Sequence, residues 1–209
     1  MKIVSQTFKL TGLTPILMHC GQTADPLNQF ARAMKRVSGK RGKTDDDLAE
    51  MSNREGWAGR YLSKAPSIDG TTVTPADGTK IILPAHVLDS CIREGARKAK
   101  MGKQASAGCI VEGDGVFAYE GPKDLVKLSR DGNHVARHAV KVGTAKVMRT
   151  RPVFADWSVT FSAAIDPSVL EVSQVLDALV NAGRLVGIGD WRPGAPRGGS
   201  FGRFEAEAL

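Results

Sequence analysis

The segment Trp157 to Ile165 constrains this chain most. Trp157, Val159, Phe161, Ala163 and Ile165 alternate without a break with Ser158, Thr160, Ser162 and Ala164. Successive side chains of a strand point to opposite faces, so the pattern predicts a half-buried strand. A sheet with one buried face needs a cover, and the sequence offers helices for it. Asp166-Pro167 has the form of a helix start, followed by an apolar stripe of Val169, Val172, Val175, Leu176, Leu179 and Val180, with Gly183 as the stop. Pro84 likewise opens a predicted helix, with Val87, Leu88, Cys91, Ile92, Ala96 and Ala99 on its buried side.

The remaining strands are shorter. Lys2 to Leu10 alternates, with Val4, Phe8 and Leu10 on one face; Ile81–Leu83 and Leu185–Ile188 are short apolar runs; Phe201 to Ala206 closes the chain. Between the first strand and the Pro84 helix, Asp25-Pro26 predicts a helix carrying Leu27, Phe30, Ala31, Met34 and Val37. Thr44 and Asp47 form a capping-box pair for a second helix reaching about Tyr61, and residues 65–80 predict a loop or small hairpin. From Cys109 to Arg149 the pattern is short strands broken by Gly113, Gly115, Gly121 and Gly132. This order predicts an α+β fold of the ferredoxin-like (RRM-like) kind: an antiparallel sheet, helices on one face, and a helical insertion after the first strand. The whole chain, 1–209, reads as one domain with 25–63 as a basic helical insertion.

Charge gives the first functional direction. Lysine and arginine total 29 against 22 acidic residues, a net charge of +7, which favours polyanionic partners. The charge is also blocked. Arg32, Lys35, Arg36, Lys40, Arg41 and Lys43 follow one another with no acidic residue between them, and Arg93, Arg97, Lys98, Lys100 and Lys103 accompany only Glu94. Blocks of one sign create the local field that a phosphate chain feels. Lys35, Arg36, Lys40, Arg41, Lys43, Arg93 and Arg97 are therefore candidate phosphate contacts. Arg149 and Arg151 join them, because residues i and i+2 of a strand share a face.

The sharpest local signal is the stretch Gly187 to Phe204, GIGDWRPGAPRGGSFGRF. Glycines such as Gly187, Gly189 and Gly202 let backbone approach a ligand and present N–H groups to phosphate. Arg192, Arg197 and Arg203 add charge, while Trp191 and Phe201 offer flat faces for bases. The mundane alternative is a long hairpin turn with buried aromatic rings and solvated arginines. It is neither a phosphate-binding Walker loop nor a dinucleotide fingerprint, since no Gly-Lys-Ser/Thr and no helix follow.

A strand, a helix ending at glycine and a glycine-rich loop closing on a last strand resemble the RAMP superfamily, the RRM-like RNA-binding subunits of CRISPR effector complexes. Leu13-Thr-Pro-Ile-Leu-Met-His19 and Ile82-Leu-Pro-Ala85 fit the same pattern, and Gly187–Phe204 resembles the GxGDxRP…GxFGRF ending of small phage and prophage proteins. The resemblance implies a glycine loop near RNA backbone, and backbone-type subunits that line up along a strand.

The expected function is therefore binding of single-stranded nucleic acid, RNA before DNA, as a non-catalytic RAMP-like module of a ribonucleoprotein or phage-related complex. Self-association along the strand and other ribonucleoprotein subunits are expected partners, and a membrane is not. One alternative is a metal-independent endoribonuclease using His19 as general base. Another is a phage assembly or regulatory protein whose positive face meets an acidic protein. His86, His134 and His138 read as ordinary hydrogen-bonding histidines, and no cysteine pair stands near them, so neither a metal nor any other cofactor is expected. Three widely spaced cysteines and an alternating, non-signal N-terminus fit the cytoplasm of a bacterium or phage-infected host.

Overall fold

The computed structural model describes residues 3–209, the side chains at positions 141 and 142 excepted. In chain order the elements are β1 (Val4–Gly12), β2 (Ile16–Leu17), α1 (Gln29–Ser38), α2 (Asp45–Ala58), β3 (Ser67–Asp69), β4 (Thr72–Thr74), β5 (Ile82–Leu83), α3 (Ala85–Lys98), α4 (Gly102–Gly108), β6 (Cys109–Val111), β7 (Gly115–Tyr119), α5 (Leu125–Arg130), β8 (Val135–Val142), β9 (Ala145–Phe154), β10 (Trp157–Ile165), α6 (Val172–Leu185) and β11 (Phe204–Ala208). The mixture is α+β with antiparallel pairing. The chain divides into two compact units: one from the N-terminus to Leu17 with Ile82–Glu120 and Phe154–Leu209, the other Met18–Ile81 with Gly121–Val153. The predicted insertion at 25–63 falls inside the second unit, which also takes in a stretch far downstream.

In the first unit the strands run in the order β11-β1-β10-β7-β5, with β6 beside the far end of β10. Phe8 stands opposite Phe161 and Leu10 opposite Val159, so the pleat puts all four on one face. Every odd residue of β10 from Trp157 to Ile165 is buried, as its alternation predicts. Each such large apolar side chain contributes about 1.5–3 kcal/mol when removed from water. The other face is polar along β1 and β10. There Thr7 and Ser162 share a hydrogen bond of 3.0 Å between their hydroxyls and Ser158 and Thr160 extend the row, while Val116 of β7 and Ile110 of β6 lie exposed beside it. The predicted start of β1 at Lys2 lies outside the described residues.

Helices α3 and α6 pack together over the buried face through Leu88, Cys91, Ile92, Val175, Ala178 and Leu179. Four expectations for this region need correction. The helix after β10 begins at Val172, not at Pro167, because the Asp166 carboxylate accepts hydrogen bonds from the Ser168 N–H and hydroxyl and turns the chain first. Val169 therefore lies 38% exposed instead of in the core. Gly183 does not stop the helix, which runs through it to Leu185; a Cβ there would sit 2.0 Å from the Phe204 carbonyl oxygen, so glycine serves close packing. For the same reason Leu185–Ile188 is helix end and bend instead of strand, and the closing strand starts at Phe204.

The second unit holds α1 and α2, the β3–β4 hairpin, α5 and the β8–β9 ladder. Asn28 caps α1 by accepting from the Phe30 N–H, so the helix starts three residues after the predicted Asp25-Pro26 signal and Leu27 is left exposed. The capping box of α2 is present in both directions between Thr44 and Asp47. The long β8–β9 ladder, from Val135 opposite Pro152 to Val142 opposite Ala145, replaces the short strands expected there. Ser52 bonds the Thr150 hydroxyl at 2.8 Å and Glu55 accepts the Thr150 N–H at 2.8 Å, which fixes β9 against α2.

Candidate nucleic-acid interface

The glycine-rich loop belongs to the first unit and is folded upon itself. Gly202 donates to the Pro15 carbonyl at 2.8 Å, Ile188 to Gly202 at 2.9 Å, and Phe201 to Trp191 at 3.2 Å. A Cβ at Gly202 would stand 1.7 Å from the Ile188 oxygen, and one at Gly199 would stand 1.8 Å from the Trp191 oxygen. The close approach that these glycines permit is thus made by the loop's own backbone. Gly198 differs: it has φ +62 and open space around it, at the tip of the loop. Around that tip the amides of Arg197, Gly199 and Ser200 donate to no protein acceptor among the described residues.

The loop's side chains divide the same way. Arg192 is half-buried and its Nη1 donates to the Gly189 carbonyl at 3.1 Å, so it braces the loop from within. Its charge also reaches the Cys91 thiol, whose pKa burial nevertheless pushes up to about 12. Arg197 and Arg203 are exposed, without an acidic partner among the described residues. Trp191 is 37% exposed and holds φ +50, a left-handed conformation that costs a bulky residue about 1–2 kcal/mol. Its ring lies 6.4 Å from that of Phe201, tilted by 57°.

The basic ridge of α3 is partly neutralised by its own helix. Arg93 pairs with Asp89 at 3.1 Å, and Arg97 bonds Glu94. Past the end of α3, Lys100 takes φ +60 and, with Arg97 and Lys103, borders a shallow depression.

In the second unit Lys35 and Arg36 are exposed on the last turn of α1, where cations suit the helix dipole. Arg41 is exposed as well, but Lys40 is tied to Asp47 at 2.6 Å and Lys43 donates to the Lys40 carbonyl. The hydrogen bond from Lys40 holds the Asp47 carboxyl below its ordinary range and raises the Lys40 ammonium in turn. The basic run is thus answered by an aspartate of the next helix.

Arg149 and Arg151 stand on β9 beside a cleft of about 430 Å³. His19 and Lys35 border the same cleft, and Met34 and Ala58 contribute apolar surface. Glu55 anchors Arg149 at 2.6 Å. Sequence reasoning missed Glu55, because it lies 94 positions from Arg149 and nothing local marks the pair. It equally missed the open amides at the tip of the glycine loop, which depend on which neighbours are already engaged. Among the described residues no group of three or more His, Cys, Asp or Glu could hold a metal ion, and no helix is long and apolar enough to cross a membrane.

No protein-family model matches this chain, and no curated protein matches it. Among solved structures, a Cas6 product complex is similar over 99% of this chain and 100% of its own, at 10% identity and a TM-score of 0.21. Fold and function therefore rest on the chain's own geometry.

Proposed function

We propose that this protein binds single-stranded nucleic acid, RNA before DNA, as a non-catalytic RAMP-like module working in the cytoplasm with other ribonucleoprotein subunits or further copies of itself. The observation that carries the reading is the tip of the glycine-rich loop. Three open amides at Arg197, Gly199 and Ser200 surround a left-handed glycine, with two exposed arginines nearby. Such backbone concavities bind anions, and exposed guanidinium groups add charge-assisted hydrogen bonds. The half-exposed Trp191 ring offers a stacking platform beside them. The sheet supports the same assignment by exclusion. Its polar face carries Thr7, Ser158, Thr160 and Ser162 and no aromatic ring among the described residues, so base stacking falls to the loop.

The ferredoxin-like reading belongs to this proposal. Taking β1, β7, β10 and β11 as the four main strands gives the spatial order last, first, third, second, with α3 between the first two and α6 between the last two. On that reading 1–209 is a single RAMP-like domain whose core is the first unit and whose insertions make up the second.

The test is fluorescence anisotropy of the intact protein with single-stranded RNA, single-stranded DNA and duplex over a salt series. Tight binding of single strands, with log affinity falling linearly against log salt, is the expected outcome. Absence of binding at low salt overturns the proposal. One observation favours a second reading, an endoribonuclease: His19 is exposed at a cleft that also holds Lys35, Arg149 and Arg151. Cleavage of RNA in EDTA that disappears in His19→Ala would establish it, and intact RNA after long incubation would remove it.

A further inference from the structure

One helix end is built against its own local preference. α3 closes in a Schellman turn, in which the Lys100 N–H donates to the Arg97 carbonyl at 3.1 Å and the Met101 N–H to the Ala96 carbonyl at 2.9 Å. The first residue past the cap of such a turn takes a left-handed φ, which glycine adopts at no steric cost. Here that residue is Lys100, at φ +60. Among the described residues the other non-glycine with a positive φ is Trp191 of the glycine-rich loop. Backbone strain of this kind concentrates where the side chain it presents is used. The dipole of α3 favours cations in its last turn, Arg97 and Lys98, but it does not call for lysine at the glycine position.

Lys100, Arg97 and Lys103 border a depression of about 750 Å³ whose remaining walls are small or uncharged, and no acidic residue borders it. Gly102 is needed there, because a Cβ would stand 2.6 Å from the Arg97 Cγ that lies over it. Arg97 is answered by Glu94. Lys98, Lys100 and Lys103 are exposed and meet no acidic partner among the described residues, and Asp177 of α6 borders a separate groove past Ala99 and Met101. Three positive charges are therefore unbalanced, set along a turn of six residues. That spread suits a chain of phosphates better than a single one. No aromatic ring and no large apolar side chain borders the depression, so it offers nothing for a base to stack on and nothing to enter a lipid layer.

We infer that the α3–α4 corner is a second nucleic-acid site, one that grips the sugar–phosphate backbone of duplex and single strand alike. Lys98, Lys100 and Lys103 make the phosphate contacts. α3 and α6 run antiparallel, since Ala99 and Met101 share a groove with Leu170 and Gln174 at the start of α6. The glycine-rich loop follows the far end of α6, whose 14 residues span about 21 Å. The corner is thus separate from the loop and does not rest on single-strand binding there.

The test is fluorescence anisotropy of the intact protein with a blunt RNA duplex and with a single strand of equal length, over a salt series. The duplex should bind at low salt. Lys98→Gln with Lys103→Gln should weaken that binding and lower the slope of log affinity against log salt by about 2, at unchanged melting temperature. Lys100→Gly should lower the slope by about 1 while the melting temperature stays or rises, because glycine suits the turn better than lysine. A lysine that served only the fold would show the opposite, a lower melting temperature with normal binding. In a protein that also carries Arg197→Ala and Arg203→Ala, the corner changes should lower the duplex slope by the same amounts, so the corner and the loop fail independently. A parent that binds duplex but shows no preference for single strands counts against the loop alone. The inference is overturned if the duplex does not bind at low salt, or if the folded corner variants keep the parent's affinity and slope in either background. It is equally overturned if vesicles of phosphatidylserine and phosphatidylcholine bind the parent and not the corner variants while the duplex binds neither, which would assign the corner to a membrane surface.

Discussion

Residues 39–43 and residues 187–203 are alike as sequence, each mixing glycine with cations, yet they fold by different rules. In the shorter stretch glycine only turns the chain: Gly42 has φ +64 and nothing within 4 Å of the position a Cβ would take. In the longer one glycine allows backbone to pass against backbone, as at Gly202 and Gly199. The cations differ as well. Lys40 is answered by Asp47, whereas Arg197 and Arg203 meet no acidic side chain among the described residues. Local composition therefore misleads about which charge is available. A run without acids still acquires one when the next helix folds back.

The largest expected effect tests the role of glycine. Gly202→Ala must displace the Ile188 carbonyl and adopt φ +65, so urea unfolding should show a loss of about 3 kcal/mol or more. Gly42→Ala, with only the conformational cost, should lose about 1 kcal/mol. Equal losses would mean that the loop yields to the added carbon and that the contrast is false.

Charge is tested next. Arg197→Ala should cost about 1–3 kcal/mol of single-strand binding, as a charge-assisted contact that loses its donor, without a change in melting temperature. Arg192→Ala should instead lower the melting temperature, because its guanidinium braces the Gly189 carbonyl. Normal binding by a stable Arg197→Ala protein would remove the loop tip from the interface. A smaller and sequence-independent effect is expected from changing Lys40, Arg41 and Lys43 together to alanine. If all three face phosphates, the salt slope should fall by about 2; with Lys40 held by Asp47 the fall should be smaller.

The smallest effect is a pH dependence. Asp47 titrates lower in the folded protein than in the unfolded chain, chiefly through Lys40 and then the Thr44 amide. Its contribution to stability is therefore complete above the ordinary carboxylate range and is lost as pH falls through the depressed folded value. Asp47→Asn should be less stable near neutrality and show a shallower decline of melting temperature on acidification. A parallel decline in both proteins would show that the Lys40–Asp47 contact contributes nothing to folding.

What the sequence made legible is what local periodicity or local capping controls. The alternation of β10, the Thr44–Asp47 box and the buried stripe of α3 through Leu88, Cys91 and Ile92 are all of that kind. Gly183 was misread because a glycine needed for helix-to-strand packing has the same local appearance as one that ends a helix. The β8–β9 ladder was missed because its residues follow no clean alternation, as at Arg149, Thr150 and Arg151. At the candidate sites the cations were legible by type, but Glu55 and Asp47, which decide how much of their charge is free, act through the tertiary fold.

The sheet also sets a schedule for synthesis. β1 is made well before its ladder partners β10 and β11, which begin at Trp157 and Phe204. At about 5–20 residues per second, roughly 7–30 s separate the appearance of Gly12 from that of Trp157 on a translating ribosome. During that interval a strand bearing Phe8 and Leu10 has neither neighbour of its native ladder. The nascent chain is then open to capture by chaperones or by another chain's unpaired edge, and the yield of folded protein should depend on how quickly the stretch of message between β1 and β10 is read.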